Sequence, residues 1–402
     1  MKILVVHEVS YLRKVVYEIH EFPELLALRG HEVTFVDFDE DATRESRSKQ
    51  RIRKIVGRIH NQANITLATP HAFGAPSVDR LWATVSVIPL LFGLFFRKRF
   101  DIVLNYAVPT YGLQVILLAR LFRVPVIHRA LDVSSKIRVS AWNPLIALWE
   151  KTVFFLVDRV SANNPAMQTY VSKNLPSFMG AKVDVHYPPL DLQIFMETNR
   201  DMELAARLGI GTNDKVVMYM GTFFYFSGLP TLISSMERNL KSNPALKILL
   251  IGGGEQEAEL RALVKELGIK DQVIFAGFID FRELPKYMAL ADVAVNPLEN
   301  GLVAGAAFPH KVLQYMAVGL PVVSTKLEGL YAAFSESSGI HWVSDSEEAA
   351  REAVNLLHIK PEELKRIRKV QRESLERLFS IDQTVTSLEK GLEALLRKDF
   401  VQ

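Results

Sequence analysis

The sequence predicts an α/β protein of two domains, each with a parallel sheet covered by helices. Its 402 residues exceed what one core usually holds and suit two domains. Short apolar runs of strand type alternate with helical patterns along most of the chain. This alternation stops once, at Pro188 and Pro189, and then starts again. We therefore place the first domain at residues 1–190, the second at 191–380 and a closing helix at 381–402.

The composition excludes several classes of protein. Apolar residues make up 49% of the chain and charged residues 23%, which is typical of a globular protein. The absence of cysteine excludes disulfides and Cys-ligated zinc. The net charge of +3 is too small to indicate a nucleic-acid partner. The opening MKILVV is too short for a signal peptide, so we expect a cytoplasmic protein.

The first domain opens with strand, helix and strand and continues in the same alternation. No glycine follows the first strand, so the G-x-G-x-x-G of a dinucleotide-binding enzyme is missing, and a dehydrogenase is disfavoured. The strands are expected at Lys2 to Val6, Glu32 to Asp37, Asp101 to Asn105, Pro125 to His128 and Val183 to Tyr187. The helices are expected at Lys14 to Arg29 and Tyr111 to Phe122, with a further helix and strand within Ala141 to Ala162.

Two segments of the first domain suggest contact with a membrane. The stretch Arg44 to Arg58 carries seven basic residues, and it suits either a solvated helix face or a patch that docks on anionic lipid head groups. The run Leu81 to Phe96 has no charge. It is shorter than the ~20 residues needed to span a bilayer, and Pro89 and Gly93 interrupt it. A helix packed under the sheet is favoured, with an interfacial helix as the alternative.

His128 and Asp132 follow a predicted strand of the first domain. The carboxyl ends of parallel strands are where open α/β sheets bind ligands. Either side chain could therefore orient or deprotonate a substrate hydroxyl. A purely structural histidine is an equally favoured interpretation.

In the second domain, three successive strand ends carry glycine. These are Gly221, Gly252 to Gly254 and Gly277, and their exposed backbone suits a flat nucleotide. The strands are expected at Val216 to Met220, Lys247 to Ile251, Val273 to Ala276, Val293 to Asn296 and Val322 to Ser324.

The stretch Asn296 to Thr325 combines a Gly/Ala-rich loop, a helix and a buried strand. Pro309 suits the first turn of the helix and Gly319 its end, which predicts a helix from about Pro309 to Val318. The helix start and Lys311 favour an anion, best a phosphate or diphosphate, and a capped helix with a solvated lysine is the alternative. By helical spacing, one face would pack on the sheet and the other would meet the ligand; that second face holds Lys311, Gln314 and Tyr315.

These residues resemble the GT-B glycosyltransferases, in particular the retaining enzymes of glycosyltransferase family 4. The resemblance is continuous from Val216 to Thr325, through VVMYMGTFFYFSGL, LLIGGGE, VIFAGFI, YMALADVAVNP and FPHKVLQYMAVGLPVVST. It is looser in the first domain, where it depends on KILVV, ALRGHEVTFVD and DRVSANNPAM. It implies two Rossmann-like domains facing a cleft, with the donor on the second domain and the acceptor on the first. The closing helix, Ile381 to Leu396, would cross back to the first domain.

The resemblance also implies roles for single residues of the second domain. Gly221 and Thr222 would lie near the diphosphate. The residues around the base would be Gly253, Gly254, Gly277 and Phe278. Those holding the phosphates and sugar lie within Gly305 to Lys311, namely Ala307, Phe308, Pro309, His310 and Lys311.

Some positions depart from the family pattern. Gln314 falls where the family has the glutamate that binds the ribose, and the preceding glutamate of that motif would align at Ala306, with Glu299 as its replacement. Thr222 lies in the region where an arginine and a lysine usually neutralise the leaving diphosphate. Lys311 and its helix start are the expected substitutes.

The resulting hypothesis is a retaining glycosyltransferase. It would move a sugar from a UDP- or GDP-linked donor to an acceptor hydroxyl near His128 and Asp132, without a metal or other cofactor. The acceptor would be a lipid-linked molecule or a glycan, reached by peripheral attachment to the cytoplasmic membrane face through Arg44 to Arg58 and Leu81 to Phe96. Two alternatives stay open: a nucleotide-sugar epimerase of the same fold, and a catalytically silent subunit that binds sugar nucleotides.

Overall fold

The structure is a computed structural model that describes residues 1–39, 52–73, 76–136 and 142–398. Most of the basic stretch Arg44 to Arg58, from residue 44 to residue 51, lies outside the described residues. The chain divides into two compact units. The first holds Met1–Pro189 together with Ile381–Gln402, and the second is Leu190–Ser380. Each unit is an α/β body, which confirms the predicted fold class.

The first unit is built on an eight-stranded sheet. Its strands are β1 (Lys2–Val6), β2 (Glu32–Val36), β3 (Ile52–Val56), β4 (Asn64–Ala68), β5 (Ile102–Asn105), β6 (Val126–Ala130), β7 (Arg159–Ala162) and β8 (Val183–Val185). Their order is β3-β4-β2-β1-β5-β6-β7-β8. All neighbours are parallel except β3, which runs antiparallel to β4. The central strands are buried, as expected for a parallel sheet with helices on both faces.

Five helices follow the strands of the first unit. They are α1 (Glu18–Leu28), α2 (Pro76–Lys98), α3 (Gly112–Leu121), α4 (Asn143–Leu156) and α5 (Pro165–Lys173). Helix α1 begins at Glu18, later than the predicted start at Lys14, because Tyr17 has an extended backbone. It ends at Leu28, and Gly30, two residues later, has a φ of +86°, a conformation that favours glycine.

Two predictions for the first unit need correction. The basic residues Arg53 and Lys54 belong to an edge strand, β3, and not to a helix face, and neither β3 nor β4 was expected. Lysine and arginine on an edge strand also oppose pairing with another chain. The second correction concerns β6, which continues to Ala130, so His128 lies inside the strand rather than at its end.

The second unit holds a six-stranded, fully parallel sheet. Its strands are β9 (Lys215–Met220), β10 (Leu246–Ile251), β11 (Val273–Gly277), β12 (Val293–Asn296), β13 (Val322–Thr325) and β14 (Ile340–Val343). The order β11-β10-β9-β12-β13-β14 reverses direction between β9 and β12. In open α/β sheets, ligands bind outside the carboxyl ends of the strands at such a switch point. The end of β9 and the end of β12 therefore mark the place to look for a site.

Nine helices of the second unit are described. They are α6 (Met202–Arg207), α7 (Leu229–Ser242), α8 (Glu257–Glu266), α9 (Leu284–Met288), α10 (Leu302–Ala306), α11 (His310–Ala317), α12 (Glu328–Phe334), α13 (Ser346–Leu356) and α14 (Pro361–Leu378). The predicted Gly/Ala-rich loop contains the short helix α10. The predicted helix from Pro309 to Val318 is α11, one residue shorter at each end.

The closing helix α15 (Ile381–Lys398) belongs to the first unit. Its fully buried residues Val385, Leu388 and Leu392 join the apolar core that α1 and the sheet also form. At the surface, Arg29 at the end of α1 binds Asp382 at 2.9 Å and also contacts Glu389. The C-terminal segment therefore returns to the first unit, in agreement with the expected fold class.

Candidate functional site

Three glycine-bearing loops lie side by side at the carboxyl edge of the second sheet. The Gly221 N–H donates to Ile251 O at 2.9 Å, and the Gly252 N–H donates to Gly277 O at 2.8 Å. The Phe223 N–H donates to Gly253 O at 3.0 Å. The three strand ends that the sequence singled out are therefore joined into one surface beside the switch point.

Glycine is required at two of these positions. Gly221 has φ +139° and Gly252 has φ +119°, which are conformations that other residues rarely adopt. A Cβ atom on Gly252 would also lie 2.2 Å from Gly221 O, which is backbone and cannot give way. The loops at Gly221 and Gly252 therefore lie so close together that position 252 has no room for a Cβ atom.

Lys311 lies next to this surface, in the first turn of α11. Its Nζ is 3.9 Å from the centroid of the Tyr219 ring, and a Cβ atom on Gly221 would come within 3.2 Å of the same nitrogen. Burial lowers the pKa of Lys311 to about 7. Within the described ranges the ammonium has no carboxylate partner. The aromatic face of Tyr219 attracts the ammonium group but does not neutralise its charge. The ammonium group is therefore suited to bind an anion.

Two tyrosines fix this arrangement. The Tyr219 hydroxyl donates to Thr222 O at 3.1 Å, and the Met220 N–H donates to the Tyr315 hydroxyl oxygen at 2.6 Å. Tyr315 is fully buried, so the expectation that it faces a ligand is wrong. Gln314 is also largely buried, and only Lys311 of the predicted ligand-facing set is partly open to solvent. The reason is that α11 packs against α14 as well as against the sheet.

Phe278 supplies an exposed aromatic ring at the end of β11. It is 65% exposed, and a Cβ atom on Gly253 would lie 3.0 Å from its ring. Gly277, just before it, has φ +72°, and Gly254 lies against the backbone of Phe223. An open aromatic ring beside glycine backbone is a surface on which a planar base can stack.

The remaining predicted donor residues lie around the start of α11. Ala307 follows α10, Pro309 precedes α11, and His310 is the first residue of that helix. Phe308 is buried and its ring stacks on Phe379 with centroids 5.6 Å apart, so the side chain has a packing role. Glu299 follows β12 with its side chain exposed, and its N–H donates to Phe226 O at 2.9 Å.

Asn296, the last residue of β12, was not predicted as a site residue. It is fully buried at the switch point, and its Nδ2 donates to Ser324 Oγ at 2.9 Å. Its Oδ1 has no hydrogen-bond partner among the described residues. A buried acceptor of this kind is costly unless it receives a hydrogen bond. The switch-point rule applied to the strand order would have identified it.

The first unit does not support the role expected for His128. The ring is 2% exposed, its Nδ1 lies 3.2 Å from Asn105 Nδ2, and it packs against Phe154 at 5.6 Å between centroids. Burial lowers the pKa of His128 to about 3, so the ring is neutral and weakly basic. This interior position contradicts the prediction that His128 binds or deprotonates an acceptor.

Asp132 lies beyond β6 and is exposed. Desolvation by the protein around its carboxylate raises its pKa to about 6, and the nearby Glu18 and Glu150 add to the shift. No hydrogen bond joins Asp132 to His128 in the part of the chain that the structure describes. Of the two residues predicted in this unit, only Asp132 is placed where a ligand can reach it.

Sequence reasoning missed a buried ion pair next to Asp132. Arg129 on β6 and Glu18 on α1 are 1% and 3% exposed. The Arg129 Nε donates to Glu18 Oε1 at 2.6 Å and its Nη2 to Oε2 at 3.0 Å, while Nη1 donates to Ser161 Oγ at 2.9 Å. The paired arginine follows directly after His128 in the sequence, but a separation of 111 residues hides its partner.

A stacked pair of aromatic rings lies at the switch point of the first sheet, between β1 and β5. The His7 and Tyr106 rings stack with centroids 5.7 Å apart. Burial lowers the pKa of His7 to about 3, and the buried Tyr106 hydroxyl has no hydrogen-bond partner among the described residues. A neutral imidazole and an unpaired buried hydroxyl therefore lie at this edge of the sheet.

Comparisons with known proteins cover most of the chain. Residues 18–194 match the family model "Glycosyltransferase Family 4", and residues 201–374 match the model "Glycosyl transferases group 1". The chain is 26% identical over 217 residues to the N-acetyl-alpha-D-glucosaminyl L-malate synthase of Bacillus anthracis, covering 53% of this chain and 54% of that protein. Across the first curated relatives, the matched part is 33 to 54% of their own length.

Solved structures match the whole chain. A sucrose-phosphate synthase from Thermosynechococcus elongatus aligns with a TM-score of 0.80 at 18% identity, over 99% of both chains. Anabaena HepE in complex with UDP-glucose aligns with a TM-score of 0.74 at 17% identity, over 98% of this chain and 100% of that one. At these identities the likeness shows the fold. Together, the two family matches and the two α/β units show that the chain belongs to the GT-B glycosyltransferases of the group 1/family 4 type.

Proposed function

We propose that this protein is a retaining glycosyltransferase that moves a sugar from a nucleoside diphosphate sugar to an acceptor hydroxyl. The observation that supports this most is Lys311, a cation without a carboxylate partner among the described residues, held against Tyr219 beside glycine backbone. A diphosphate is the ligand whose charge fits this place.

The proposed chemistry requires a stabilised leaving group. When the bond between the sugar carbon and the diphosphate oxygen breaks, the diphosphate gains negative charge. Lys311 and the positive end of the α11 helix dipole would neutralise that charge. Preorganised groups of this kind usually supply a large share of catalysis, several kcal/mol when one is removed. In this proposal a protein cation acts where other enzymes use a divalent metal.

The proposed nucleotide site uses the remaining features of the same edge. Gly253 and Gly254 would let the base approach the backbone, and Phe278 would stack on it. The UDP-glucose complex of Anabaena HepE, which has the same fold, favours a UDP-linked donor, and a GDP-linked donor is the second candidate. The buried Asn296 Oδ1 would accept a hydrogen bond from the donor or from a water beside it.

The proposed acceptor site lies at the carboxyl edge of the first sheet. Asp132 is the exposed carboxylate there and would orient the acceptor hydroxyl. The acceptor would be a glycan or a lipid-linked molecule.

The test uses a panel of UDP- and GDP-sugars with the full-length protein. Thermal shift identifies the donor, since a ligand that binds only the folded form raises its stability. Release of nucleotide that depends on an acceptor supports the transferase. Interconversion of the free sugar nucleotide would instead show an epimerase, and tight donor binding with no turnover would show a silent binding subunit. Absence of binding to every donor would overturn the proposal.

A further inference from the structure

Helix α2 presents an uninterrupted apolar stripe to solvent. Exposed apolar residues recur along one side at helical spacing; the most exposed are Leu81 and Phe96, each 72% exposed. The exposed basic residues of the helix, Arg80 and Arg97, lie near its two ends. The stripe runs through Leu81, Val85, Ile88, Phe92 and Phe96. The opposite face, with Val87 and Leu91, is fully buried in the unit. One side of α2 is therefore packed in the unit, and the other side is apolar and exposed to solvent.

The apolar surface continues over the two neighbouring helices. Helix α3 packs against α2 and α4 packs against α3. Leu117 and Leu121 are exposed on α3, and Leu145 and Leu148 are exposed on α4, which is preceded by the exposed Trp142. We call the exposed apolar residues of α2, α3 and α4, together with Trp142, the apolar face. A bare area spread over three helices is unusual for a soluble monomer and marks an interaction surface.

The charges around the apolar face are mostly basic. The three helices contain two acidic residues, Asp79 and Glu150, and both are buried. Two exposed acids, Asp101 and Asp158, lie just beyond the ends of α2 and α4. Exposed basic residues stand at the helix ends and between them: Arg97, Arg99, Arg120, Arg123 and Lys151. This distribution fits a partner that is apolar inside and anionic at its surface.

Two of these arginines occupy costly backbone positions. Arg99, after α2, has φ +49°, and Arg123, after α3, has φ +56°. Glycine would hold this left-handed conformation at lower cost. The presence of arginine at both helix ends is not explained by the backbone and is consistent with a need for positive charge beside the apolar face.

From these observations we infer that the apolar face docks on an anionic lipid bilayer, with α2 lying in the interface. Residues Val78–Lys98 are long and apolar enough to cross a membrane, but 39% of their most apolar 18-residue stretch, which has a mean hydropathy of 1.5, is buried. Both of its ends connect to strands β4 and β5 of one sheet. A helix attached to the sheet at both ends can insert its exposed face among lipid head groups while its other face stays packed in the unit. This is how an interfacial helix binds.

Membrane docking also indicates the class of acceptor that the protein uses. This conclusion about the acceptor rests on the proposed function, whereas the docking itself does not. Trp82 lies in the second turn of α2 and Trp142 directly precedes α4, and tryptophan is an amphipathic residue type enriched at membrane interfaces. Both helices begin at the carboxyl edge of the first sheet, the edge at which Asp132 lies. A docked apolar face would therefore bring that edge to the bilayer surface, where a lipid-linked acceptor presents its hydroxyl.

The test is flotation of the full-length protein with vesicles of phosphatidylcholine alone or mixed with phosphatidylglycerol. We expect binding to the mixed vesicles and weak binding to the neutral ones. Leu81→Ser with Phe96→Ser should lower the partition coefficient at least about tenfold. Leu28→Ser with Val56→Ser removes exposed apolar residues from other elements of the same unit and should change nothing.

A second pair of variants tests the charge. Arg97→Gln with Arg123→Gln should lower binding to the mixed vesicles about tenfold or more and leave binding to neutral vesicles unchanged. Lys265→Gln with Lys270→Gln, on the second unit, is the charge-matched control. Equal binding of all variants, or no binding of the wild type, overturns the inference. A dimer that Leu81→Ser with Phe96→Ser converts to monomer, without vesicle binding, would assign the apolar face to a second copy instead.

The experiment separates this inference from the proposed function. Sugar-nucleotide binding is measured on the same variants and is expected to be unchanged. Intact donor binding with no flotation removes the membrane inference alone. Flotation with no donor binding removes the transferase proposal alone.

Discussion

The charged groups at the carboxyl edges of the two sheets differ in how they are paired. In the first unit, Arg129 and Glu18 satisfy each other inside the protein, and Glu8 accepts hydrogen bonds from the N–H groups of Val108 and Thr110. In the second unit, Lys311 faces an aromatic ring, with no carboxylate against it among the described residues. A charge that its own fold compensates is structural, whereas an uncompensated one at a switch point marks a ligand site.

The largest expected effect comes from removing the uncompensated charge. Lys311→Met keeps the length of the side chain and loses the cation, so kcat/KM should fall by about 10² to 10³, as when one preorganised charge-stabilising group is lost. Steady-state nucleotide release with the best donor measures it. Lys265→Met, an exposed lysine on α8, should behave as wild type. Equal activity of the two variants would contradict the proposal that Lys311 stabilises the leaving diphosphate.

The same variant should not lose stability. Burial depresses the pKa of folded Lys311 to about 7, below the value of an unfolded lysine. The unfolded state therefore holds more protons between pH 7 and the usual lysine range, and the stability of the wild type rises with pH across that window. Lys311→Met should lack this rise and be at least as stable at pH 7. Chemical denaturation at several pH values checks it, and a clear loss of stability at pH 7 would argue for a structural role.

The paired charges of the first unit should show the opposite behaviour. Arg129→Met leaves Glu18 as a buried, unpaired carboxylate and should destabilise the protein by about 3 to 5 kcal/mol. Glu18→Leu with Arg129→Met should recover most of this loss, since a buried pair is replaceable by apolar residues. Denaturation midpoints compare the two variants. If the double variant is no more stable than Arg129→Met, the pair has a role other than mutual compensation.

A smaller effect distinguishes two glycines of the second unit. Gly252→Ala adds a Cβ atom 2.2 Å from Gly221 O and should cost about 3 kcal/mol from strain and overlap. Gly277→Ala has the same type of backbone conformation but open space around it, so it should cost about 1 kcal/mol. Thermal unfolding of both variants gives the comparison. Equal losses of stability would mean that Gly221 O does not lie close enough to the Cβ position of residue 252 to clash with it.

The sequence was sufficient for most of the fold because parallel strands are continuous apolar runs. The predicted strand Lys2 to Val6 is β1 residue for residue, and Val293 to Asn296 is β12. The strands that were missed, β3, β4 and β14, lie at or near sheet edges, where polar residues weaken that pattern. Local sequence gives little evidence for pairing at an edge.

The sites were harder to predict for two physical reasons. Long-range pairing is invisible in sequence, so the Arg129 and Glu18 pair was missed and the neighbouring His128 was given a catalytic role that its burial excludes. Helical spacing separates one packed face from one open face, but α11 is packed on almost every side, which removed Tyr315 from the ligand-facing set. Lys311 was predicted because a helix start after glycine and proline is a local signal.

The most direct test of the central claim is proton uptake when a UDP-sugar binds. Free Lys311 has a pKa of about 7, and a bound diphosphate should raise it, so affinity should fall about tenfold between pH 6 and pH 8. Calorimetric titration at pH 8 in buffers of different ionisation enthalpy should show proton uptake by the wild type and none by Lys311→Met. Donor binding with equal affinity at both pH values and no proton uptake would contradict the account, because Lys311 would then not contact the diphosphate.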